Sequence, residues 1–355
     1  MIRTPGRRGL LGFLCVVLPP VLLGAGLLWG ETGRFGFGDL FRGLAHIFGG
    51  SPLPGMDQAV FELRLWRVLT AAGVGASLSL AGCLLQGLFR NPLASPGLLS
   101  TTSGAGLGAL IGVLLVGGYG PELALEGSAR LRILFVPVGA FLGASGATLI
   151  VTLASWRLPR GGLAWLLLLG LALNTAFGGL SALLQNLWLD DWEVSRAIVA
   201  WGFGTLEARS SLHALMVWTT LLLVLPFLPF LWRELDLLAL GEEDALSLGM
   251  HPIRIRIQVV VLTSVLTGGA VAVAGQIGFL GLILPNLMRL ALGPGHRILI
   301  PASLASGASF LMAVDLCSRT LAHGWSLPPG VFLSLVGAPF FLALLFHRRK
   351  EALPW

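Results

Sequence analysis

The sequence contains few charged residues, and their scarcity excludes an ordinary soluble globule. Asp, Glu, Lys and Arg together make up 11% of the 355 residues, whereas a soluble domain carries about 25%. So few charges cannot cover the surface of a globule of this size with groups that water solvates well. Lipid must therefore be part of the solvent, which predicts an integral membrane protein.

Lysine is almost absent, and its absence excludes one class of enzyme. Lys350 is the only lysine of the chain, so a Walker A phosphate loop, which requires a lysine after its glycines, does not occur. The six histidines are isolated from one another, and no Gly-x-Ser-x-Gly elbow is present. We therefore expect no catalysis, no bound cofactor and no metal site in this chain, and any ATP hydrolysis belongs to a partner.

Cysteine is also rare. Cys15, Cys83 and Cys317 lie in apolar stretches without paired spacing, as expected of small buried hydrophobic side chains rather than disulfides or metal ligands. The net charge of +6 does not indicate a nucleic-acid partner, because the basic residues are scattered through loops instead of clustering on one face.

Apolar residues and glycine take the place of charge. Hydrophobic residues make up 55% of the chain, which also has 49 glycines, and the long apolar runs predict helices rather than the short alternating strands of a β-barrel. We predict an all-α polytopic membrane protein of about ten transmembrane helices, with residues 1–355 forming one domain. The candidate spans are 9–29, 66–88, 96–116, 132–155, 164–186, 211–231, 257–274, 277–290, 298–314 and 331–346. The eighth is short and contains Pro285, so it is tilted, broken or only partly inserted.

The distribution of basic residues predicts the orientation. With the amino terminus in the cytoplasm, fourteen Lys and Arg residues fall on the inner side and nine on the outer side, in the sense of the positive-inside rule. Both termini then face the cytoplasm, and we expect the bacterial cytoplasmic membrane as the location. The apolar run after Arg8 is long for a signal peptide and lacks a small-residue cleavage site, which favours a retained first helix.

The centres of the predicted spans contain no ionisable residue. Ion-coupled secondary transporters keep such residues near the middle of the membrane, so this class is the disfavoured alternative. An intramembrane enzyme is a second alternative, and it lacks a paired nucleophile, base or metal-ligand set. Asp315 and Arg319, four residues apart at the outer end of the ninth span, are predicted to pair on one helix face.

Glycines recur at four-residue spacing in two neighbouring spans. Gly104, Gly108 and Gly112 form one ridge, and Gly139 with Gly143 forms another. Such ridges let helix backbones approach closely, either within one subunit or between subunits.

Two cytoplasmic connections carry distinctive residues. The turn after the second span reads RNPLASP (residues 90–96), where two prolines make a rigid corner with or without a functional role. The loop 232–256 reads WRELDLLALGEEDALSLGMHPIRIR, in which residues 242–248 predict a short amphipathic helix with an acidic first turn, ended by Gly249. That helix is either a solvated connector or a knob that seats in a groove on a partner.

Several segments, taken in order, resemble the FecCD-type permeases of ABC importers for iron-siderophores, haem and vitamin B12. The resemblance covers the chain from about Glu62 to Phe346. Its specific parts are LRLWRVLTAAGVGASLSLAGCLLQGLFRNPLASPGLL, LLLLGLALNTAFGGLSALL, LALGEEDALSLG, GQIGFLGLILPNLMRL, GHRILIPAS and LPPGVFLSLVGAPFFLALL.

This resemblance implies the type II importer architecture: a homodimeric permease in the lipid bilayer, two ATP-binding cassette ATPase subunits and an extracytoplasmic substrate-binding protein. It implies that the loop 232–256 carries the ATPase-coupling helix, with the residues Leu240, Gly241, Glu242, Glu243, Asp244, Ala245, Leu246, Leu248 and Gly249. Two elements of a cytoplasmic gate are implied at Asn91, Pro92 and Leu93 and, in the inner loop Arg160–Leu163, at Gly162 and Leu163. Docking of the binding protein is implied at Arg64, Arg67 and Arg319.

The sequence departs from the family pattern at four places. Trp66 replaces the proline between the two outer arginines, and Asn286 replaces the histidine after Pro285. Gly295 replaces an acidic residue, and the loop 322–326 lacks the usual proline and glutamate. The motifs are common to siderophore, haem and corrinoid permeases, so they leave the substrate open.

Overall fold

Helices account for nearly all of the structure. The computed structural model describes residues 5–30, 33–47, 55–116, 134–157, 162–188, 195, 198–199, 201–321 and 327–348. Within these ranges the chain is helical apart from one short antiparallel β pairing and the connections. The all-α prediction is therefore confirmed for the described part of the chain.

The chain order is as follows. The amino-terminal part contains α1 (Pro5–Leu28), β1 (Trp29–Gly30), β2 (Gly33–Arg34), α2 (Phe37–Ile47) and α3 (Gly55–Phe89). The middle part contains a 3-10 helix (Pro96–Leu99), α4 (Thr101–Val116), α5 (Phe135–Arg157) and α6 (Gly162–Leu187). The carboxyl-terminal part contains α7 (Ser211–Val224), a 3-10 turn (Leu225–Phe227), α8 (Leu228–Leu238), α9 (Glu242–Ser247), α10 (Pro252–Ala274), α11 (Leu280–Leu292), α12 (His296–Leu321) and α13 (Pro329–Arg348).

Apolar helical segments lie at each of the ten predicted spans. Six are long and apolar enough to cross a bilayer, and the shorter ones lie in α1, α4, α11 and α13. The count of ten full crossings stays a prediction. α11 has 13 residues with Pro285 inside it, so it is about 20 Å long, less than the hydrocarbon thickness of about 30 Å.

α3 is the central helix of the fold. Its most apolar window is 94% buried, and it packs against α7, α10, α11 and α12. Small residues permit these contacts, because a side chain at Gly75 would meet the backbone of Gly307 in α12, and one at Gly82 would meet the backbone of Gly281 in α11. Close backbone approach is how membrane helices gain packing contact without a hydrophobic drive between them.

The two glycine ridges face each other within one chain. A side chain added at Gly104 would meet the backbone of Gly143, and one added at Gly108 would meet the backbone of Gly139. Gly112 lies against the first turn of α5. The ridges therefore join α4 to α5, which is the intrasubunit alternative of the sequence analysis.

The described residues between 30 and 62 are largely helical. α2 places Leu40 and Leu44 against a small core of Leu27, Phe61 and Leu65. These five side chains join α1, α2 and the first turns of α3 into a cap at one end of the bundle.

Several helices extend beyond their predicted bounds because they keep an apolar face. α3 begins at Gly55 rather than near residue 66, and α12 continues to Leu321. α8 continues to Leu238, with Leu231, Leu235 and Leu238 buried at helical spacing. The connection between helices α8 and α10 is therefore shorter than the predicted loop 232–256.

Two glycines allow the segment around Gly204 to approach the end of α10 closely. Gly204 and Gly275 have φ angles of 68° and 73°, a region that side-chain-bearing residues rarely occupy. The Thr205 amide donates to the Ala274 carbonyl at 2.9 Å. A side chain on Gly275 would meet the Trp201 carbonyl. The close approach therefore requires glycine both for the positive φ angles and for space.

Candidate functional site

The predicted coupling helix is present as α9, a helix of six residues with defined ends. Gly241 precedes it at a φ of 137°, and Gly249 follows it at a φ of 81°. The Met250 amide donates to the Ala245 carbonyl at 3.0 Å, and the Gly249 amide donates to the Leu246 carbonyl at 2.9 Å. These two bonds form a Schellman termination, which gives the short helix a fixed length and direction.

One ion pair attaches α9 to the membrane helix that follows it. The Glu242 carboxylate lies 3.2 Å from the guanidinium of Arg256, which is buried in α10. Ala245 packs against the hydrophobic core from the same helix. α9 is therefore held against the rest of the chain on one face.

A second polar contact lies just before α9 and was not predicted from the sequence. Asp236 of α8 accepts hydrogen bonds from the backbone amide and Nδ1 of His296, at 3.0 and 2.6 Å. The Arg297 guanidinium lies 5.7 Å from the centre of the Trp232 ring. Together these contacts join α8 to the first turn of α12, where a carboxylate suits the helix dipole.

The exposed side of residues 240–248 carries three leucines beside polar residues. Leu240, Leu246 and Leu248 are exposed, each by more than half of its surface, while Glu243 and Asp244 are also exposed. Three exposed leucines on a rigid segment that its neighbours leave uncovered are typical of an interaction surface.

The first predicted gate element is a rigid turn at the end of α3. The Leu93 amide donates to the Asn91 side chain at 2.9 Å, and the Ala94 amide donates to the Asn91 carbonyl at 3.1 Å. Arg90 stands in the left-handed region with a φ of 48°. The turn leaves Leu93 exposed by 39%, as a hydrophobic constriction requires.

The second predicted gate element is only partly described. Gly162 and Leu163 begin α6, whereas Arg160 lies outside the described residues. Further along α6, the Gly170 carbonyl accepts from the Ser100 hydroxyl at 2.6 Å, and Asn174 donates to the Gly97 carbonyl at 2.8 Å. α6 is thereby joined to the 3-10 helix that follows the first gate element.

Two of the three arginines predicted to dock the binding protein share one buried carboxylate. Asp315 lies 2.9 Å from Arg67 and 3.1 Å from Arg319, which confirms the predicted pair with Arg319 and adds a partner from α3. Arg64 instead donates to the Leu27 carbonyl at 3.2 Å. Helices rather than loops carry all three arginines, and only Arg67 retains some exposure, 16% of its side chain.

Other predicted features of the outer side lie outside the described residues. This holds for the loop 322–326, where the expected proline and glutamate are missing. Trp66, which replaces the proline between the outer arginines, continues α3 without a break.

α6 presents an apolar, uncharged face that the rest of the chain leaves exposed. Only 11% of its most apolar window is buried. Beside it lies a cavity of about 280 Å³ between α4, α6 and the α10–α11 connection. Its polar lining consists of Ser103, Ser181, Gln185, Trp201 and Gln276.

Sequence reasoning missed the amide side chains that lie beside the first gate element. Gln86 donates to carbonyls of α11 at 3.1 and 3.2 Å, and Asn286 donates to the Pro92 carbonyl at 2.7 Å. The available signal was an amide within an otherwise apolar helical stretch, because such a side chain needs a partner when buried.

Comparison with known proteins finds one membrane transport family along nearly the whole chain. The model of the FecCD transport family matches residues 17–347. The hemin transport system permease protein HmuU of Yersinia pestis is 36% identical over 348 residues, which cover 97% of each chain. The cobalamin import system permease protein BtuC of Halobacterium salinarum is 36% identical over 300 residues, 83% of this chain and 75% of that relative.

A solved structure has the same fold. It is assigned to a metal-chelate type ABC transporter in an inward-facing conformation, and it superposes with a TM-score of 0.79 at 29% sequence identity. The match covers 95% of this chain and 98% of the other.

Proposed function

The chain belongs to the FecCD transport family and is a multi-pass membrane permease of the ABC-importer type, and we propose that it works as a homodimer with two ATP-binding cassette ATPase subunits and an extracytoplasmic substrate-binding protein. In this arrangement the partner hydrolyses ATP, and the permease provides the path. The three exposed leucines in and beside α9 (Leu240, Leu246 and Leu248) carry the proposal, because they form a docking surface on a chain without a Walker A loop.

The docking surface lies on a segment that is attached to two membrane helices. Its buried side is attached to α10 through the ion pair of Glu242 and Arg256, and α8 is attached to α12 through Asp236 and His296. Movement of an ATPase surface against Leu246 would therefore displace two long membrane helices together. A solvated connector would need neither attachment.

Replacement of Leu246 by Asp tests the coupling. The charge would enter an apolar groove on the ATPase, so we expect substrate-stimulated ATP hydrolysis and uptake to fall while membrane insertion stays normal. The measurement is ATPase activity and uptake by the reconstituted complex. Ser247→Asp is the matched control, because it adds the same charge to an already polar exposed position of α9. Normal coupling in Leu246→Asp would refute the role of this surface.

We place the substrate path along the dimer interface, with α6 contributing to it. The uncharged exposed face of α6 and the polar cavity beside it support this placement. The turn of Asn91, Pro92 and Leu93 then serves as a cytoplasmic gate, with the start of α6 at Gly162 and Leu163 as a second gate element. A hydrophobic side chain closes such a path by its volume.

The outer side is proposed to bind the substrate-binding protein through Arg67. Arg64 and Arg319 support the same site from buried positions, since Arg319 shares Asp315 with Arg67. Arginine suits a carboxylate on the partner because its planar donors match both oxygens.

Arg67→Glu tests this docking. Rim charges act mainly on the encounter rate and are screened by salt, so the variant should associate more slowly with the binding protein in nanodiscs, and the parent complex should weaken as salt rises. Arg42→Glu is the matched control, because Arg42 is a more exposed cation on α2 of the same cap. Equal slowing in both variants, or insensitivity to salt, would count against a specific docking site.

We infer that the substrate is a metal chelate or a corrinoid, such as an iron-siderophore, haem or cobalamin. The names of the relatives and of the solved structure support this class. Uptake assays with the substrate-binding protein encoded beside this chain would identify the substrate when each of these ligands is offered in turn. The location is proposed as the bacterial cytoplasmic membrane, with both termini in the cytoplasm.

The alternative of an ion-coupled secondary transporter finds little support in the geometry. Among the described residues Asp315 is the only buried acidic side chain, and both of its oxygens lie within ion-pair distance of arginines. This carboxylate is therefore engaged by ion pairs within the bundle rather than open to a transported ion.

A further inference from the structure

We propose that Asn286 is the residue that positions the cytoplasmic gate, by holding the Pro92 carbonyl of the gate turn against α11. The inference rests on the proposed gate role of Leu93 and goes beyond it, since it assigns the control of the turn to a side chain of another helix. Asn286 lies 194 residues further along the chain and donates to that carbonyl at 2.7 Å.

The local structure of α11 explains why amide side chains gather here. Pro285 lies inside the helix and has no N–H, so the Gly281 carbonyl one turn earlier loses its helical donor. Gln86 of α3 replaces that donor, because its amide nitrogen lies 3.1 Å from the Gly281 carbonyl and 3.2 Å from the Leu282 carbonyl. α3 is thereby bound to α11 at the point where the helix is weakest.

Asn286 follows the proline and is almost fully buried. Its amide nitrogen donates to the Leu282 carbonyl at 2.8 Å as well as to Pro92. The opposite orientation of the amide would place its oxygen against two carbonyl oxygens, so the hydrogen-bond network determines which way the side chain points. One N–H of Asn286 thus satisfies its own helix and the other reaches the gate turn.

The same turn is anchored to α3 through the backbone. The Asn91 amide donates to the Gln86 carbonyl at 3.2 Å, while the Gln86 side chain donates to α11. Gln86 therefore joins α3 to α11, whereas Asn286 joins α11 to the turn itself. Loss of the Asn286 bond would therefore release Pro92 and the adjacent Leu93 directly, whereas loss of the Gln86 side-chain bonds would leave the bonds of the turn itself in place.

Two variants distinguish a role of Asn286 in positioning the gate from a role in protein stability alone. Asn286→Leu keeps the forked shape of the side chain and removes the bond to Pro92, and Gln86→Met keeps the unbranched shape and removes buried bonds that do not touch the turn. Both variants lose buried amide hydrogen bonds, so both should lower the melting temperature by similar amounts. Only Asn286→Leu should loosen the gate.

The measurement is passive release of a small dye from liposomes that contain the full permease with its ATPase partner. Release is followed without ATP and in the vanadate-trapped state, so that one of the two conditions captures the turn in its closed position. We expect about tenfold faster release for Asn286→Leu than for the parent, equivalent to about 1.4 kcal/mol, the size of one buried hydrogen bond. Gln86→Met should release dye at the parent rate.

Leu93→Ala distinguishes failure of this inference from failure of the gate. A leak in Leu93→Ala without a leak in Asn286→Leu would overturn the positioning role and leave the gate intact. Equal leaks in Asn286→Leu and Gln86→Met would reduce Asn286 to a structural residue. If Leu93→Ala does not leak either, the gate role falls, and the positioning role falls with it.

Discussion

The buried helix α3 and the exposed helix α6 have nearly the same hydropathy. Their apolar spans, residues 57–89 and 165–187, have mean hydropathies of 1.9 and 1.8 in windows that are 94% and 11% buried. Hydropathy therefore measures which segments leave water, and it does not distinguish contact with protein from contact with lipid or with a second subunit.

Single glycine positions show the difference in burial between α3 and α6. In α3 a side chain added at Gly75 or Gly82 would collide with the backbone of a neighbouring helix. In α6 nothing lies within 4 Å of a side chain added at Gly178 or Gly179. The first pair explains close packing inside the subunit, and the second pair lies on a face that the chain itself leaves open.

The largest effect should come from filling the space beside α3. Gly82→Val would push a branched side chain into the Gly281 backbone, which cannot move without separating α3 from α11. We expect loss of folded protein, because overpacking costs about 3 kcal/mol even where neighbours can yield. Gly179→Val is the matched variant on α6 and should fold normally. The folding of both variants is measured by the recovery of monodisperse protein after detergent extraction. Equal recovery would contradict the difference in packing between the two helices.

Removal of the buried charge of α12 that pairs with α3 should have the next largest effect. Asp315→Asn leaves Arg67 and Arg319 without their shared carboxylate, and breaking a buried pair costs about 3 kcal/mol. We expect a lower melting temperature together with faster association of the binding protein, because a partner carboxylate no longer competes with Asp315 for Arg67. Reduced stability without faster association would indicate that these arginines serve only the fold.

A bulky residue on α6 should affect assembly rather than folding. Ala176 is exposed on α6, so Ala176→Trp should leave the subunit stable while weakening the proposed homodimer. Because overpacking of a close contact costs about 1–3 kcal/mol, we expect the dimer to dissociate at a higher protein concentration, measured by light scattering in detergent. Leu222→Trp on the exposed face of α7 is the control. An unchanged dimer in both variants would assign this face of α6 to lipid.

The smallest effect should come from the polar attachment of α6. Asn174 donates to the Gly97 carbonyl at 2.8 Å and lies 2.5 Å from the Ser103 hydroxyl. Asn174→Leu should lower the stability by about 1 kcal/mol, the typical net value of a hydrogen bond. Because α6 has few apolar contacts inside the subunit, the loss should be larger than for Thr175→Val, whose hydroxyl bonds only within the helix. Thermal unfolding of the two variants makes the comparison.

Much of the fold followed from local patterns, and the candidate site followed in part. The short helix α9 was predicted because its acidic first turn and the glycine that ends it are contained in a few consecutive residues. The Asp315–Arg319 pair was predicted because four residues make one helical turn. The bond from Arg67 to Asp315 was not predicted, because the two residues are 248 positions apart and no local pattern relates them.

The sequence by itself determined that this chain is a membrane protein made of helices and which segments form those helices. The reason is that backbone hydrogen bonding in lipid is satisfied within each segment. It also identified, through resemblance, the kind of transporter. Only the tertiary structure decided that α3 is central and α6 exposed, that Asp315 is shared by two arginines, and that Asn286 reaches the gate turn. Those outcomes depend on contacts between distant segments, and such contacts exist only once the helices have packed.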